Sequence, residues 1–297
     1  MNNPSHKPLV AVAKADGHYE GSRKALELIE DRIAESIEGK NRVLIKPNFV
    51  STRKQIAASH VDAVRAVLDV LSVHYDGEIT IGEGPAIGSL DEAIRNFGFD
   101  SLKDEYGVAF KDLNSDQSME LEGVSSDLKP LKFRVSKTIL ESDYIVSVAK
   151  PKTHDCVIAT LSIKNVVVGS LVPKPEKEKI HQGVKAINLN IAMLAKHCMP
   201  SLGLIDGFEG MDGAGPTDGD PVSLGVASAS LHPVSLDAVM AGIMGFDPLD
   251  IGYLHHLNEW GIGVADLDGI EVVGEPINVV RRRFEPHPTH RDQLKWR

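Results

Sequence analysis

The densest group of side chains that could do chemistry in this 297-residue chain follows an apolar segment near its middle. The group combines lysines, histidines and an asparagine: Lys150, Lys152, His154, Lys164, Asn165 and His181. Burial and neighbouring positive charge both lower the pKa of a lysine, and such a lysine can act as a base or form a covalent adduct. Histidine titrates near neutral pH, so it can move a proton or bind a metal ion. The group predicts acid–base chemistry, and the alternative is a set of solvated loop lysines beside one hydrogen-bonded histidine.

Carboxylates among glycines form a second candidate, directly after the apolar segment 202–205. Asp206, Glu209 and Asp212 lie within residues 206–216, where glycine allows the backbone to approach a ligand closely. Carboxylates can bind a hard cation, hydroxyl groups or an ammonium group. The spacing differs from that of an EF-hand loop. A loop that orients a ligand and a purely structural acidic turn both stay open.

Two apolar segments end on the same dipeptide. Residues 43–47 and 146–151 both close on Lys-Pro, and Asn48 follows the first of them. Because proline cannot extend a central ladder, each strand is expected to stop there and to leave Lys46 or Lys150 at its carboxyl end. Open α/β sheets bind ligands at that edge, although two unrelated strand ends would give the same pattern.

A glycine-rich turn, Gly82-Glu83-Gly84-Pro85 with Gly88, lies between a predicted strand and a predicted helix. Helix N-termini attract anions, but Pro85 and the late Gly88 break the dinucleotide-binding fingerprint, and Glu83 repels phosphate. The turn therefore disfavours nucleotide binding. Glu83 is instead counted among the groups that contact a small substrate.

Apolar periodicity indicates the elements that must position these groups. Strands are predicted over residues 9–13, 43–46, 78–82, 144–149, 202–205 and 225–230. Helices are predicted over 22–38 with Ser22 as cap, after Ser59 and Ser89 as caps, over 185–197 and over 233–244. Residues 100–135 are expected to hold a hairpin or an excursion, and residues 160–185 to be rich in loops. The alternation predicts an α/β fold with a parallel or mixed sheet, Rossmann-like, with helices on both faces.

The expected organisation is a single domain over residues 1–280, which could divide into lobes near 1–140 and 141–280. A basic tail over residues 281–297 follows, and its prolines and charges favour a solvated segment.

Net charge and cysteine content narrow the class of protein. The formal net charge of −10 disfavours general nucleic-acid binding, which needs a basic face, yet it leaves room for a local pocket for a small anion. The two cysteines, Cys156 and Cys198, form no CxxC pair, so a disulfide scaffold, a zinc ribbon and an iron–sulfur cluster are disfavoured. Residues 1–8 lack the apolar core of a signal peptide, and no apolar run reaches the length of a membrane span. The expected location is the cytoplasm, without membrane association.

The motifs above resemble the family named domain of unknown function 362. The resemblance runs in order over nearly the whole chain, through residues 44–48, 82–85, 143–154, 163–165 with Gly169, His181, 206–216 and 233–237. Many members of that family carry an added ferredoxin-like module with CxxC motifs. Because this chain has no such motif, the resemblance implies no iron–sulfur role here.

A more distant resemblance is to the amino-terminal domain of nickel-pincer lactate racemases. His154, Lys164 and His181 follow the order of that family's histidine, cofactor-holding lysine and second histidine. The segment Lys46-Pro47-Asn48 corresponds to the place where that family binds the substrate carboxylate. Two positions depart from the pattern, because Glu83 replaces an early histidine and Ser162-Ile163 replace a glycine pair. The resemblance thus implies a shared fold and site location more than a shared cofactor.

The leading hypothesis is an enzyme that acts on a small anionic metabolite, with isomerase- or epimerase-type proton transfer. Its catalytic residues are His154, Lys164 and His181, and the other candidates bind the substrate: Lys46, Asn48, Glu83, Lys150, Lys152, Asn165, Asp206, Glu209 and Asp212. The alternative is a protein that binds a metabolite or cofactor without chemistry. A divalent metal or a lysine-linked cofactor stays open, and the sequence does not fix the oligomeric state.

Overall fold

The computed structural model describes residues 7–297, and a ten-stranded mixed sheet forms its centre. The strands are β1 (Leu9–Lys14), β2 (Val43–Lys46), β3 (Ile79–Glu83), β4 (Ala109–Asp112), β5 (Ser118–Val124), β6 (Pro130–Ser136), β7 (Tyr144–Ala149), β8 (Lys152–His154), β9 (Ile158–Thr160), β10 (Leu202–Asp212), β11 (Asp220–Ser230) and β12 (Glu271–Gly274). Their order in the sheet is β12-β1-β11-β10-β7-β2-β3-β4, with β8 and β9 attached beside β10. The predicted hairpin within 100–135 is confirmed as the separate antiparallel pair β5–β6.

Helices cover both faces of the sheet. They are α1 (His18–Glu27), α2 (Glu30–Ile37), α3 (Val61–His74), α4 (Leu90–Asn96), α5 (Asp100–Tyr106), α6 (Lys137–Glu141), α7 (Ser162–Gly169), α8 (Pro175–Lys179), α9 (Val184–Cys198), α10 (Pro233–Met244), α11 (Gly252–Glu259), α12 (Ile277–Val280) and α13 (His290–Gln293). Helices α1 to α5 enclose one apolar core, and α7 with α9, α10 and α11 enclose the other. Strand β2 serves both cores because its side chains alternate, with Val43 and Ile45 on one face and Leu44 on the opposite face. The predicted α/β class with a mixed sheet is confirmed.

Four neighbouring strands, β3, β2, β7 and β10, run parallel to one another. Their carboxyl ends therefore meet at one edge of the sheet. Lys46 and Glu83 are the last residues of β2 and β3. Lys150 follows β7, and Asp206 follows the last paired position of β10 with β7. The fold thus brings these charges from separate parts of the sequence to one edge.

The helix predicted over residues 22–38 is in fact two helices. Helix α1 begins four residues before Ser22, after Gly17 in extended conformation, and Ser22 lies buried within it. The chain breaks at Ile29, which is buried in the same core as Ile33 of α2. Burial of these apolar residues decides the break, and Ser22 is not a cap.

The cap of α3 is His60 rather than the predicted Ser59. The His60 side chain accepts a hydrogen bond from the Asp62 backbone N–H, whereas the Ser59 hydroxyl donates to the Val148 carbonyl at 2.7 Å. Ser59 is thus used to attach the loop after β2 to β7. The other predicted serine cap is confirmed, because Ser89 accepts from the Glu92 backbone N–H.

The predicted loop over 206–216 is wrong for most of its length. Strand β10 continues to Asp212 and pairs with β11, with a bulge between Gly207 and Glu209. Gly207 and Gly210 suit this strand because a Cβ at either would come within 2.9 Å of a backbone oxygen, that of Val226 or Pro151. The glycines permit close packing here rather than a loop. Likewise, the predicted loop region 160–185 contains the helices α7 and α8.

The segment 281–297 is not a solvated tail. Phe284, Gln293 and Trp296 are buried, although Arg281 and its two following arginines are exposed. The Trp296 ring N–H donates to the Asp250 carbonyl at 2.6 Å. Apolar and amide side chains between the charges attach the segment to the body of the protein. Whether residue 280 is a domain boundary stays a prediction.

Within residues 7–297, no helix combines the length and apolar character needed to cross a bilayer. The prediction that residues 1–8 lack a signal-peptide core falls mostly on residues 1–6, which lie outside the described residues.

Candidate functional site

A cavity of about 380 Å³ opens at the carboxyl edge of the parallel strands. Six of the sequence-predicted site residues line it: Asn48, Glu83, His154, Lys164, Asn165 and His181. They come from the loop after β2, the end of β3, the end of β8, helix α7 and the segment after α8. An apolar wall faces them, to which Phe49, Ile87 and Val168 contribute. This volume suits a small molecule with one polar and one apolar side.

Lys164 is the most unusual group in the cavity. Its side chain is 7% exposed, and within residues 7–297 its Nζ makes no hydrogen bond and no ion pair. Burial lowers the pKa of Lys164 to about 8, against a partial opposing effect of Asp155. Near neutral pH the group therefore holds both an ammonium and an amine population. A buried ammonium without a partner is costly, and an anion in the cavity would relieve that cost.

Helix α7 is held in place by a residue that the sequence analysis missed. Asp237 accepts hydrogen bonds from the backbone N–H groups of Ser162 and Ile163 at 2.9 and 3.0 Å, and from the Tyr253 hydroxyl at 3.3 Å. Its carboxyl group is fully buried, and burial raises the pKa of Asp237 to about 7 against the effect of these donors. Lys164 lies in the first turn of the helix that Asp237 anchors. The resemblance to the 362 family included Asp237 without giving it a role.

His154 is 3% exposed and lies at the end of β8. Burial and the charge of Lys164 lower the pKa of His154 to about 3, so the ring is neutral at physiological pH. Its Nδ1 accepts from the Cys156 backbone N–H at 3.0 Å and lies 2.9 Å from Asp155 Oδ1. These two contacts favour opposite tautomers of the neutral ring. His154 can thus accept a proton but does not store one at neutral pH.

His181 lies at the exposed side of the cavity, opposite His154. The two rings are 6.3 Å apart between centroids and within 14° of parallel. Nδ1 of His181 donates to the Lys177 carbonyl at 2.8 Å, so the lone pair of the neutral ring is on Nε2. Loss of water contact and the charge of Lys164 lower the pKa of His181. Both imidazoles are therefore proton acceptors at neutral pH.

Two further lysines near the cavity are bound to protein groups. Lys46 is fully buried and forms an ion pair with Glu83, with further bonds to the Pro47 and Asn165 oxygens at 3.1 and 3.2 Å. Lys152 donates to Asn48 Oδ1 and to the Ala57 carbonyl. Neither lysine lines the cavity. Their contact with a substrate stays a prediction, and their bonds hold the cavity residues Glu83, Asn165 and Asn48 in place.

Asn165 connects the buried Lys46 to the cavity. Its amide group donates to the Lys46 carbonyl and to the Ser147 hydroxyl, each at 3.1 Å, while its oxygen accepts from Lys46. Asn165 lines the cavity one residue after Lys164. These bonds fix the second residue of helix α7 that faces the ligand space.

Two other predicted residues, Lys150 and Asp206, lie in a separate group with His18 and His60. We call these four residues the closed cluster, because none of them lines the cavity. Asp206 Oδ2 contacts His18 Nδ1 at 2.6 Å, and the His18 ring stacks on His60 at 4.0 Å. Lys150 Nζ is buried with no hydrogen-bond partner within residues 7–297. The structure therefore divides the predicted site in two.

The last two predicted carboxylates also lie outside the cavity. Asp212 accepts from the Glu285 backbone N–H at 2.9 Å, which attaches the C-terminal segment to β10. Glu209 is partly exposed, and its charge and that of Asp206 oppose the burial effect that lowers the pKa of Lys150. Asp206, Glu209 and Asp212 thus do not form one ligand-binding loop.

Lys177 of helix α8 is a cavity residue that the sequence analysis assigned to a charged loop. Its Nζ donates to Asn114 Oδ1 at 2.8 Å and to the Leu171 carbonyl at 2.6 Å. Burial lowers the pKa of Lys177 to about 8, against the effect of Glu83. The signal that could have found it is Pro175, which suits the first turn of a helix.

The C-terminal segment clamps the hairpin that carries His154. Gln293 is fully buried, donates to the His154 carbonyl at 2.7 Å and accepts from the Ile158 backbone N–H. Ile158 has a φ of +67°, a conformation that a β-branched residue rarely adopts. Thr289 adds a bond from its hydroxyl to the Asp155 carbonyl at 2.7 Å. Residues near the C-terminus thereby hold both ends of the segment from His154 to Ile158.

One group of side chains within residues 7–297 has metal-ligand proximity. The ligand atoms of His154, Asp155 and Cys156 lie within 4.8 Å of one another. However, burial and the neighbouring Asp155 raise the pKa of Cys156 to about 12, which disfavours the thiolate that binds metals. The predictions of a divalent metal and of a lysine-linked cofactor stay predictions.

The protein has an α/β fold with a cavity at the carboxyl ends of its parallel strands. Residues 43–242, more than half of the chain, match the family described as Domain of unknown function (DUF362). The chain belongs to this family, and the predicted membership is confirmed. The match includes every residue assigned to the cavity and ends before the C-terminal clamp.

A curated relative is a thylakoid-associated protein of Synechocystis sp. It is 27% identical over 217 residues, a match that covers 71% of this chain and 65% of the relative. The match thus leaves about a third of that relative uncovered.

Two solved structures share part of the fold, each with a TM-score of 0.44. One is the lactate racemase apoprotein from Thermoanaerobacterium thermosaccharolyticum, 16% identical, covering 69% of this chain and 52% of that chain. The other is a protein from Thermotoga maritima, 12% identical, covering 64% of this chain and 51% of that chain. At these scores neither similarity carries an argument about function.

Proposed function

We propose that this protein is an enzyme that binds a small anionic metabolite in the cavity and transfers a proton at an acidic C–H group, as an isomerase or epimerase does. The observation that carries the proposal is the Lys164 side chain, which is buried, faces the cavity and has no partner within residues 7–297. An anion supplies the missing partner. The cytoplasm is the proposed location, and the net charge of −10 opposes nucleic acid as a partner.

Positive charge beneath the cavity supports an anionic ligand. Lys152 is fully buried, and within the described chain neither it nor Lys164 forms an ion pair with a carboxylate. Burial lowers the pKa of Lys152 most, and the charges of Lys150 and then Lys164 lower it further, so repulsion among lysines acts on this region. A carboxylate beside Lys164 would reduce this repulsion.

The protonation states support proton transfer. Lys164 has a pKa of about 8 and holds some amine at neutral pH, and His154 with a pKa of about 3 is a neutral imidazole. His181 presents the lone pair of Nε2 from the exposed side. An efficient acid–base catalyst has a pKa near the working pH, and Lys164 meets this condition. His181 supplies a second site that accepts a proton, whereas the lower pKa of His154 makes its neutral ring the weaker base.

Proton exchange with solvent tests the proposal directly. Small 2-hydroxy and 2-amino carboxylates are incubated with the full chain in D₂O, and the Cα–H signal of each is followed by proton NMR. We expect one or more acids to lose this signal with the wild type and to keep it with Lys164→Met. Lys185→Met, at an exposed lysine on α9, is the matched control and retains the wild-type rate.

Binding without exchange would support the second candidate, a non-catalytic metabolite-binding protein, over the enzyme. This candidate is favoured by the strong internal bonding of Lys46 and Glu83, which leaves these groups unavailable to a substrate. Saturation-transfer NMR on the same acids separates the two outcomes. If no acid binds, both forms of the proposal are wrong.

A further inference from the structure

Lys164 has the surroundings of a nucleophile as well as those of an anion-binding group. The amine lies inside the cavity, without a hydrogen bond or ion pair within residues 7–297 that would hold its lone pair or its proton. Asp237 fixes the backbone of its helical turn through two N–H groups. Two other lysines line the cavity. Lys177 has the same lowered pKa of about 8, but its Nζ donates to two protein oxygens, and Lys174 is partly exposed. Lys164 is therefore the lysine of these three that is both buried and without a bond to a protein group within residues 7–297.

The lining of the cavity limits the electrophile. Phe49, Ile87 and Val168 form an apolar wall that accepts a short alkyl group. The charges of Lys174 and Lys177, which line the cavity with Lys164, favour a carboxylate nearby. A small 2-oxo acid combines a carboxylate, an alkyl group and an electrophilic carbonyl carbon within a few bonds.

We propose that Lys164 forms an imine with the carbonyl carbon of a small 2-oxo acid bound in the cavity. The proposal rests on the proposed anion site, and it names the substrate class of that site. The amine form of Lys164 attacks the carbonyl carbon, a C–N bond forms, and one nitrogen proton passes to the carbonyl oxygen. The C–O bond then breaks, and the oxygen leaves as water. The sum is amine plus carbonyl to imine plus water, without any change in oxidation state.

The imine explains why neutral bases face the lysine. A protonated imine withdraws electrons from the neighbouring carbon, so a C–H bond there becomes acidic enough for a nitrogen base to break. The His154 and His181 rings, 6.3 Å apart and nearly parallel, lie beside the cavity in their neutral forms. Removal of the proton by one imidazole, and return of a proton from the imidazolium so formed, gives the proton transfer of the proposed function.

Borohydride trapping tests the imine. The full chain is incubated with pyruvate and sodium borohydride near pH 7, digested, and mapped by mass spectrometry. Reduction turns the imine into a stable secondary amine, which adds the mass of one pyruvic acid less one oxygen atom. We expect this adduct at Lys164, because a lysine with a pKa of about 8 holds on the order of a hundredfold more amine at pH 7 than an exposed lysine. Lys177 has the same pKa, but its Nζ is bonded to two protein oxygens.

Two controls keep the test independent of folding. Lactate carries the carboxylate without the carbonyl, so an excess of lactate is expected to suppress the adduct in the wild type. Lys164→Arg removes the nucleophile and keeps the charge, whereas Lys177→Arg leaves the nucleophile in place. We expect the adduct to vanish in the first variant and to persist in the second, with both variants showing the wild-type circular dichroism.

The outcomes separate this inference from the proposed function. If pyruvate and lactate bind, as seen by saturation-transfer NMR, but no adduct forms at Lys164, the imine is wrong and the anion site stands. If adducts form equally at exposed lysines such as Lys185, the imine is also wrong. If neither acid binds and no adduct forms, both proposals fail together.

Discussion

Two clusters of ionisable groups lie at the same edge of the sheet, each around a buried lysine, and they differ in what their side chains face. In the cavity, Lys164 and the imidazoles of His154 and His181 face open space. In the closed cluster, His18 contacts Asp206 at 2.6 Å and stacks on His60. Charged residues at strand ends contribute to both the cavity and the closed cluster. The elements above the strands then decide whether that charge meets a ligand or another side chain.

Both clusters contain a lysine without a partner within the described residues, and this makes the comparison testable. Lys150 is 0% exposed, whereas Lys164 is 7% exposed and reaches the cavity. Burial lowers the pKa of each. Of these two lysines, only Lys164 is therefore expected to bind a ligand as its charge partner.

The largest expected effect separates these two lysines. Lys164→Met should weaken binding of a small carboxylate on the order of a thousandfold, about 4 kcal/mol, because the charge that contacts the anion is lost. Lys150→Met should leave binding unchanged. It should leave the free energy of unfolding equal or about 1 kcal/mol higher, since a buried unpaired ammonium is replaced by an apolar chain. Calorimetric titration measures the affinity of each variant for the anion, and urea unfolding measures its free energy of unfolding. Equal losses of affinity in the two variants would contradict the division into two clusters.

The next effect concerns the anchor of helix α7. Asp237→Ala should lower the free energy of unfolding by about 3 kcal/mol, because two buried backbone N–H groups and the Tyr253 hydroxyl lose their acceptor. Asp237→Asn keeps one acceptor oxygen and should cost about half as much. Urea unfolding measures both variants. A wild-type value for Asp237→Ala would show that α7 is held by packing alone.

A smaller effect is expected from pH. The anion binds to the ammonium form of Lys164, whose pKa is about 8, so its affinity should be constant below that value. Above about pH 8 the affinity should fall by up to about tenfold per unit as the ammonium form is lost. Lys164→Arg stays protonated and should bind without this decline. A flat profile for the wild type would mean that another group carries the charge.

The smallest effect tests the C-terminal clamp. Gln293→Leu removes both bonds to the hairpin of His154 and should weaken anion binding by about threefold to tenfold, about 1 kcal/mol. The His154 ring signals in NMR should broaden or shift at the same time, which a loss of stability elsewhere would not cause. Gln182→Leu, at a partly exposed glutamine bonded to Lys179, is the matched control. It should leave the affinity for the anion and the His154 ring signals unchanged.

Local sequence patterns predicted much of the scaffold. The apolar runs before Lys46-Pro47 and Lys150-Pro151 are strands β2 and β7, and Ser89 caps α4 as its spacing with Glu92 predicts. These features depend on residues that are close to one another in the sequence, so the sequence alone predicts them. The same reasoning failed at residues 206–216, where the glycines permit close packing of a strand instead of a loop.

The sequence by itself determined the types of reactive groups and their place at strand ends. Only the tertiary structure decided that Lys164 stays unpaired in a cavity while Asp206 is bound by His18, 188 positions away. It also decided the anchor at Asp237 and the clamp at Gln293, which act on residues 75 and 139 positions away. Such contacts depend on how distant elements pack, and no short pattern in the chain encodes the distance between them.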